Sequence, residues 1–313
     1  MNISFNPTPT GADPIHAILD TPEDSILAII AGVEGPSYRP LGAMMAVMSD
    51  GSRVGTLSSG CIEADIALHA TEALKAKSPR MLRYGKGSPF VDIELPCGGG
   101  LDILLVPTPN KPALNEIATR QAARDGCSLR IDVESAAMAV RDNAKTEREG
   151  STLTVQFDPA IRFLVFGKGP EATTFAALVN SAGYPILLLS PDTETLQSGE
   201  SVGCPTHHMT TKRFPKDVSV DQHTAIVLFF HDHDWEPLIL HRALETDAFY
   251  IGSQGSQRAR DARVATLQEM GVSASDIIRL RGPVGLIPSA RDAGTLAVSV
   301  LAEILATAMQ KTR

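Results

Sequence analysis

Two rhythms of apolar and polar residues divide the chain. In the first half the apolar runs are short and set apart by turn residues. Ser25 to Val33 and Ala43 to Ser49 are apolar runs separated by Gly35, Pro36, Pro40 and Gly42, which predicts two strands with a turn-rich connection. Asp50-Gly51 predicts a hairpin turn, because glycine tolerates the positive φ such turns need, and Arg53 to Ser58 is the returning strand. The period then lengthens. Ile62, Ile66, Ala70 and Leu74 recur every four residues with Glu63, Asp65 and Glu72 off the stripe, an amphipathic helix of about four turns. Val91 to Leu95 and Leu101 to Val106 flank Pro96-Cys97-Gly98-Gly99-Gly100 and read as a second hairpin. Residues 111 to 124 read as a helix stopped by Gly126, Ser128 to Val133 and Ala136 to Val140 as strands, and Arg141 to Thr152 as a solvated connection.

The second half alternates differently. Ile161 to Phe166, Pro185 to Leu189 and Thr224 to Phe230 are continuous apolar runs, as expected of parallel strands buried on both faces. Ala248 to Ile251 and Ile277 to Leu280 are shorter candidates. Thr173 to Ala182 reads as a helix between strands, and Leu296 to Met309 as a closing helix. The prediction is α/β: an N-terminal mixed α+β domain over 1–158, then a Rossmann-like doubly wound parallel sheet over 159–313.

Length agrees with two domains, since 313 residues is about twice the usual ~150. The 28 basic and 36 acidic side chains give a formal charge of −8, with no basic block, so neither nucleic acid nor anionic membrane is an expected partner. Four cysteines are too few for a disulfide scaffold and fit a reducing compartment. The N-terminus lacks the pattern of a signal peptide, and Ile26 to Val33 and Leu296 to Met309 fall short of the ~20 apolar residues of a span, the latter carrying Glu303. The expected location is cytoplasmic.

Candidate chemistry gathers at turns. Gly167-Lys168-Gly169-Pro170-Glu171-Ala172 follows a strand, opens a helix and fits the dinucleotide fingerprint, with Asp192 placed where an acid can meet a ribose. Pro170 removes an N–H from that turn and Glu171 adds a charge that repels phosphate, so NAD(P) is disfavoured. His231 and His233 end a strand where open α/β sheets bind ligands and would share one side if the strand continued; the alternative is a polar loop with Asp234 capping the next helix. Ser256 and Arg258 sit at a glycine-rich strand-to-helix turn, as anion contacts or, for Ser256, as an N-cap. Cys61 precedes the amphipathic helix, where unpaired N–H groups favour a thiolate. Cys97 precedes three glycines whose N–H groups can form an anion nest. Cys127, heading an apolar run, reads as a small buried hydrophobe, and Cys204 shows no role.

The runs Gly35-Pro36-Ser37-Tyr38-Arg39-Pro40-Leu41-Gly42-Ala43-Met44, Gly55-Thr56-Leu57-Ser58-Ser59-Gly60-Cys61-Ile62-Glu63-Ala64 and Leu95-Pro96-Cys97-Gly98-Gly99 resemble the N-terminal domain of the xanthine dehydrogenase accessory factor family, XdhC/CoxI. Phe163 to Gly169, His231-Asp232-His233, Tyr250-Ile251-Gly252 through Arg258, Gly282-Pro283-Val284-Gly285-Leu286 and Ala302-Glu303-Ile304 resemble the same family's Rossmann domain. The chain departs from the family pattern at Pro170, where a histidine is usual, and at Ile287-Pro288-Ser289, where Asp-Ile-Gly is usual.

The resemblance implies a chaperone rather than a turnover enzyme. It would bind molybdenum cofactor (molybdopterin), protect it during sulfuration and deliver it to a xanthine dehydrogenase-type apoenzyme, with a cysteine desulfurase as further partner and a homodimer as its own assembly. Cys61 and Cys97 would handle the cofactor and ligate its metal. Arg39, Ser59, Gly60, Gly98 and Gly99 in the first domain, and Gly167, Gly169, His231, His233, Ser256 and Arg258 in the second, would line its site. The competing reading is an NAD(P)-dependent oxidoreductase with Cys61 or Cys97 as a redox thiol.

Overall fold

The strand Ser25–Glu34 is apolar at every position from Ile26 to Ala31, and the fold uses both of its faces. Ile26, Ala28 and Ile30 enter one core, Leu27, Ile29 and Ala31 the other, the two-residue alternation of a strand sandwiched between layers. The computed structural model describes residues 13–58, 60, 62–89, 95 and 98–311. They form two compact units, the first ending at Pro159 and the second starting at Ala160.

The first unit runs α1 (Pro14–Asp20), β1 (Ser25–Glu34), β2 (Met44–Met48), β3 (Arg53–Gly55), α2 (Glu63–Ala76), β4 (Arg80–Gly85), β5 (Gly100–Pro107), α3 (Lys111–Ala122), β6 (Cys127–Asp132), β7 (Met138–Asp142), β8 (Glu147–Glu149) and β9 (Thr152–Phe157). Its sheets are antiparallel, in the orders β3-β2-β1-β5-β4 and β7-β6-β9-β8. Helix α2 covers one face of the larger sheet through Ile66, Ala70 and Ala73. On the other face Leu27, Ile29 and Leu104 meet Ile15 and Ile18 of α1, Leu114 and Ile117 of α3, and Cys127, Leu129 and Leu153 of the smaller sheet.

Several expectations change here. The third strand ends at Gly55 rather than Ser58, because Leu57 and Ser58 give their N–H groups to the Glu63 carboxylate instead of to a ladder. The described partner of β5 in a hairpin-like pair is β4, which the pattern missed; the expected strand at 91–94 lies outside the described residues. Arg124, at φ 59, follows the end of α3, so the stop is two residues before Gly126. The segment expected to be a solvated connection contains β8 and leads into β9, which buries Leu153 and Val155.

The second unit runs β10 (Arg162–Gly167), α4 (Pro170–Ser181), β11 (Ile186–Ser190), α5 (Thr193–Ser201), β12 (Thr206–His208), β13 (Thr224–Phe229), a 3-10 turn at His233–Trp235, α6 (Glu236–Leu244), β14 (Tyr250–Ser253), α7 (Gln257–Glu269), α8 (Ala274–Ile277), β15 (Leu280–Arg281) and α9 (Ala293–Lys311). All six strands are parallel, in the order β12-β11-β10-β13-β14-β15. That is the doubly wound Rossmann order, whose switch point lies between β10 and β13. Helices α4 and α9 pack on one face, α6 and α7 on the other. Ala293–Gln310 reaches the length and apolarity of a membrane span, contrary to the reading of 296–309, yet Ala297, Val300, Leu301 and Ile304 of α9 are buried in the core with α4.

Candidate functional site

The loop before α2 carries one of the two cysteine motifs, and Glu63 holds it. Its Oε1 accepts Thr56 Oγ1 at 2.6 Å, Ser58 N at 2.8 Å and Leu57 N at 3.2 Å, and its Oε2 accepts Ile62 N at 3.2 Å. Burial raises the carboxyl's pKa, but the Thr56 hydroxyl and the backbone donors at Ser58, Glu63 and Ile62 outweigh it, so the group sits below the usual carboxylate range. Glu63 was read as a solvent-side residue of the helix; it is 6% exposed. Its signal in the sequence was an acid at the first helical turn, directly after the cysteine motif. The Ile62 N–H, at the helix start, is thereby committed to a carboxylate. Gly60, at φ 97, has open space where a Cβ would be, so a ligand can reach the main chain there. Ser59 and Cys61 lie outside the described residues.

The second motif meets the Arg39 loop. A Cβ on Gly99 would collide with the Pro36 carbonyl, and one on Gly100 with the Arg83 guanidinium. Gly99 is therefore required by packing against the Pro36 carbonyl. Gly98 spends its N–H on Leu95 O at 2.8 Å, but its own surroundings, at φ 70, are open. Ser37 turns the facing loop by accepting Arg39 N at 3.3 Å and donating to Arg39 O at 2.7 Å, and Arg39 itself is exposed. The structure thus brings the Pro36–Arg39 loop and the Gly98–Gly99 turn together; Cys97 lies outside the described residues. Cys127 is buried in the core, its thiol pKa pushed up by burial. Burial pushes the Cys204 thiol to about 11, and its Sγ donates to Ala176 O at 3.4 Å.

In the second unit the glycine turn is internally satisfied. Lys168 N donates to Phe229 O at 3.1 Å, and Gly169 N to Thr195 Oγ1 at 2.9 Å. Thr195 Oγ1 donates in turn to Asp192 Oδ2 at 2.6 Å, and Thr195 N to the same oxygen at 2.9 Å. Asp192 is thus the N-cap of α5 rather than a free ribose acceptor, and these hydrogen bonds lower its pKa. Gly167 is required because a Cβ would strike Phe229 O and Ala172.

His231 and His233 do line one crevice at the strand ends, although β13 stops at Phe229 and alternation along a strand is not what aligns them. His231 Nε2 lies 3.3 Å from Glu171 Oε2, and His233 Nδ1 lies 3.0 Å from Glu236 Oε2. Glu236 is buried and paired bidentately with Arg263 at 3.0 Å, while Ser253 Oγ donates to it at 2.6 Å. This network, which sequence reasoning missed, fixes the floor of the crevice. Asp232, not Asp234, caps the 3-10 turn. Ser256 also faces the crevice, but its hydroxyl caps α7 by accepting Ala259 N at 3.2 Å. Arg258 is exposed on the first turn of α7, away from the crevice wall. The opposite wall is tied by Glu303, which accepts Tyr250 Oη at 2.9 Å and the N–H of Gly285. Among the described residues no group of three or more His, Cys, Asp or Glu side chains is placed to hold a metal ion.

Comparison with known proteins follows these motifs. Residues 19–85 match the model of the XdhC and CoxI family, and residues 163–304 that of the XdhC Rossmann domain. The chain is 34% identical over 283 residues to the molybdenum cofactor insertion chaperone PaoD of Escherichia coli K12, covering 90% of this chain and 82% of that one. The chain belongs to the XdhC and CoxI family. A second relative, a probable xanthine dehydrogenase subunit of Bacillus subtilis 168, is 24% identical over 94% of this chain and 96% of its own. The same fold is present in a crystal structure described as a xanthine dehydrogenase from Bacillus halodurans, with a TM-score of 0.77, 20% identity and 95% of both chains covered. The first-domain family match includes the Arg39 and Glu63 loops and ends before the Gly98–Gly99 turn.

Proposed function

We propose that this chain binds molybdenum cofactor as cargo, shelters it while its sulfido ligand is installed, and delivers it to a xanthine dehydrogenase-type apoenzyme. The observation that carries the reading is the 34% identity to a molybdenum cofactor insertion chaperone across both domains. The open main chain at Gly60 and Gly98 is compatible with a large ligand approaching both cysteine motifs. Cys61 and Cys97 are the proposed soft thiolate partners for a thiophilic metal in a sulfur-rich ligand field. A cysteine desulfurase is the proposed sulfur source, a homodimer the proposed assembly, and the cytoplasm the proposed location.

The test is to incubate the purified chain with molybdenum cofactor, desalt it, and assay retained molybdenum and pterin. Retention near one cofactor per chain, lost in the double variant Cys61→Ala/Cys97→Ala, supports the reading; no retention by the unaltered chain refutes it. The oxidoreductase alternative has the Rossmann strand order in its favour, but the turn that should cradle a pyrophosphate gives Gly169 N–H to Thr195 and has no N–H at Pro170.

A further inference from the structure

The crevice at the ends of β10, β13 and β14 holds a cavity of about 480 Å³, within the size range of small-ligand sites. Gln254 lies in its wall, directly after β14, and is 7% exposed. Its main chain is fixed: its N–H donates to Leu228 O at 3.0 Å, and its carbonyl accepts Arg263 Nη2 at 3.0 Å. Its side-chain amide has no hydrogen-bond partner among the described residues. An amide so deeply set is costly to leave unmet, so what enters the cavity must meet it.

The charges in the wall set the sign of the group that fits. Glu171 Oε2 has no accessible surface and lies 3.3 Å from His231 Nε2. His233 Nδ1 lies 3.0 Å from Glu236 Oε2, which is buried against Arg263. Asp292 accepts Thr295 N at 2.7 Å and so caps α9, and hydrogen bonds from Thr295 hold its carboxyl below the usual carboxylate range. Arg291, exposed in the same wall, has no ion pair or hydrogen bond among the described residues. Ser256 starts α7 there, and its N–H and that of Gln257 have no partner among the described residues, so the positive end of the helix dipole is open. The uncommitted groups can all donate, and together they carry one positive charge, that of Arg291. A carboxylate matches it, whereas a phosphate dianion brings a second negative charge beside Asp292 and Glu171. Phe230, Val284, Ile287 and Leu296 line the rest with apolar surface, which suits an apolar body behind the carboxylate.

We propose that this crevice binds a small organic acid with an apolar body, its carboxylate held by Arg291, the Gln254 amide and the start of α7. The site goes beyond the chaperone reading and does not rest on it. A dinucleotide is not thereby admitted, because its pyrophosphate is read by the glycine turn after β10, whose Gly169 N–H is spent on Thr195.

The experiment titrates the full chain with benzoate, cinnamate and isovalerate by calorimetry at neutral pH and fixed ionic strength. Their amides, acetate and phenyl phosphate are the comparison ligands. At least one of the three acids should bind at millimolar concentration or below. It should bind at least about tenfold more tightly than its own amide, which lacks the charge-assisted contact, and than acetate, which lacks the apolar body. It should also bind more tightly than phenyl phosphate. Arg291→Gln, at an exposed position, should weaken that acid at least about tenfold and leave its amide unchanged. Gln254→Met, checked for an unchanged melting temperature, should weaken the acid at least about threefold; if that variant is destabilised, Arg291→Gln decides alone. Failure of all three acids to bind at millimolar concentration, equal binding of acid and amide, tighter binding of phenyl phosphate, or an acid affinity unmoved by Arg291→Gln or by a folded Gln254→Met overturns the site. A chain that retains molybdenum cofactor yet binds no acid overturns this site and leaves the chaperone reading standing. Acid binding that depends on Arg291, without cofactor retention, does the reverse.

Discussion

Replacing Glu63 by alanine should destabilise the first unit and release the loop before α2. The carboxylate accepts four hydrogen bonds, from Thr56 Oγ1 and the N–H groups of Leu57, Ser58 and Ile62, and the last three residues are buried. Each buried donor left unmet costs about 1–3 kcal/mol, but water entering the space left by the side chain recovers part of it, so the expected net loss is about 2–4 kcal/mol. That corresponds to a drop on the order of 5–15 °C in melting temperature for a domain of this size. Glu63→Gln keeps one acceptor oxygen but turns an NH₂ toward the Ile62 N–H, and should cost about half as much. The acid dependence has a definite sign. The folded carboxyl titrates below the unfolded value of 4.5, so its contribution is fully present above 4.5 and is lost as pH falls through the folded value. Urea unfolding of wild type and Glu63→Gln should therefore show a gap at neutral pH that closes on acidification. Alkylation of the Cys61 peptide, followed by mass spectrometry, should be faster in Glu63→Ala, because a neighbouring anion is removed and the loop is freed. Two results would refute the reasoning: variants within about 0.5 kcal/mol of wild type, the range of ordinary surface changes, or a stability gap that acid leaves unchanged.

The two motif cysteines should separate by assay: Cys97→Ala loses most retained molybdenum cofactor after desalting, whereas Cys61→Ala loses less and fails mainly in sulfido loading, read by reconstitution of a xanthine dehydrogenase apoenzyme. Matching wild-type values in both assays would remove the thiols from the mechanism. NAD(P) should show no micromolar affinity in thermal-shift titration, since about 8 kcal/mol of binding has no anion cradle to come from. Thr195→Ala alone, though it frees Gly169 N–H, should not create such binding while Pro170 and Glu171 remain; micromolar binding by that variant would show that Thr195 was the sole block. Ser289→Gly should stabilise the second unit by about 0.5–1 kcal/mol in urea unfolding, because Ser289 is held at φ 57, a left-handed conformation that costs an ordinary residue about 1–2 kcal/mol against a smaller entropic penalty for glycine. A loss of stability there would show that its side chain makes a contact outweighing the strain.

What the sequence pattern revealed was mostly core. Continuous apolar runs located β10, β11 and β13, because a strand buried on both faces has no polar side to conceal it. The four-residue stripe located α2. The pattern failed at short edge elements. β8 is exposed at all three positions and β12 has no buried residue, so pairing with a neighbour rather than burial makes each a strand. Helix α5, whose sequence is mostly polar, is anchored by the Asp192 cap and by Thr195, Leu196 and Gly199 against the sheet. The structural roles of the acids were not legible in the sequence. Glu63 stood off the apolar stripe of its helix, Glu303 registered only as a charge in the closing helix, Glu236 gave no signal, and each gathers donors that lie far off in sequence or in a neighbouring loop. A one-dimensional pattern registers an acid's hydrophilicity but not the donors that meet it after folding.

The acids also separate what each unit can hold. In a dinucleotide-binding Rossmann turn, free N–H groups meet the pyrophosphate and an acid meets the ribose. Here one hydrogen-bonded chain, Gly169 to Thr195 to Asp192, uses a donor and the acid together, and Glu171 stands where phosphate charge would fall. The fold keeps the Rossmann strand order while the donors of its glycine turn are spent within the protein. In the first unit Gly60 and Gly98 have open space where a side chain would be, so main-chain donors there could meet a ligand. Glu63 limits even that supply, since it takes the Leu57, Ser58 and Ile62 N–H groups for itself. With those donors spent, the proposed metal contact would fall to the thiols of Cys61 and Cys97, and Gly60 and Gly98 would act by admitting the ligand.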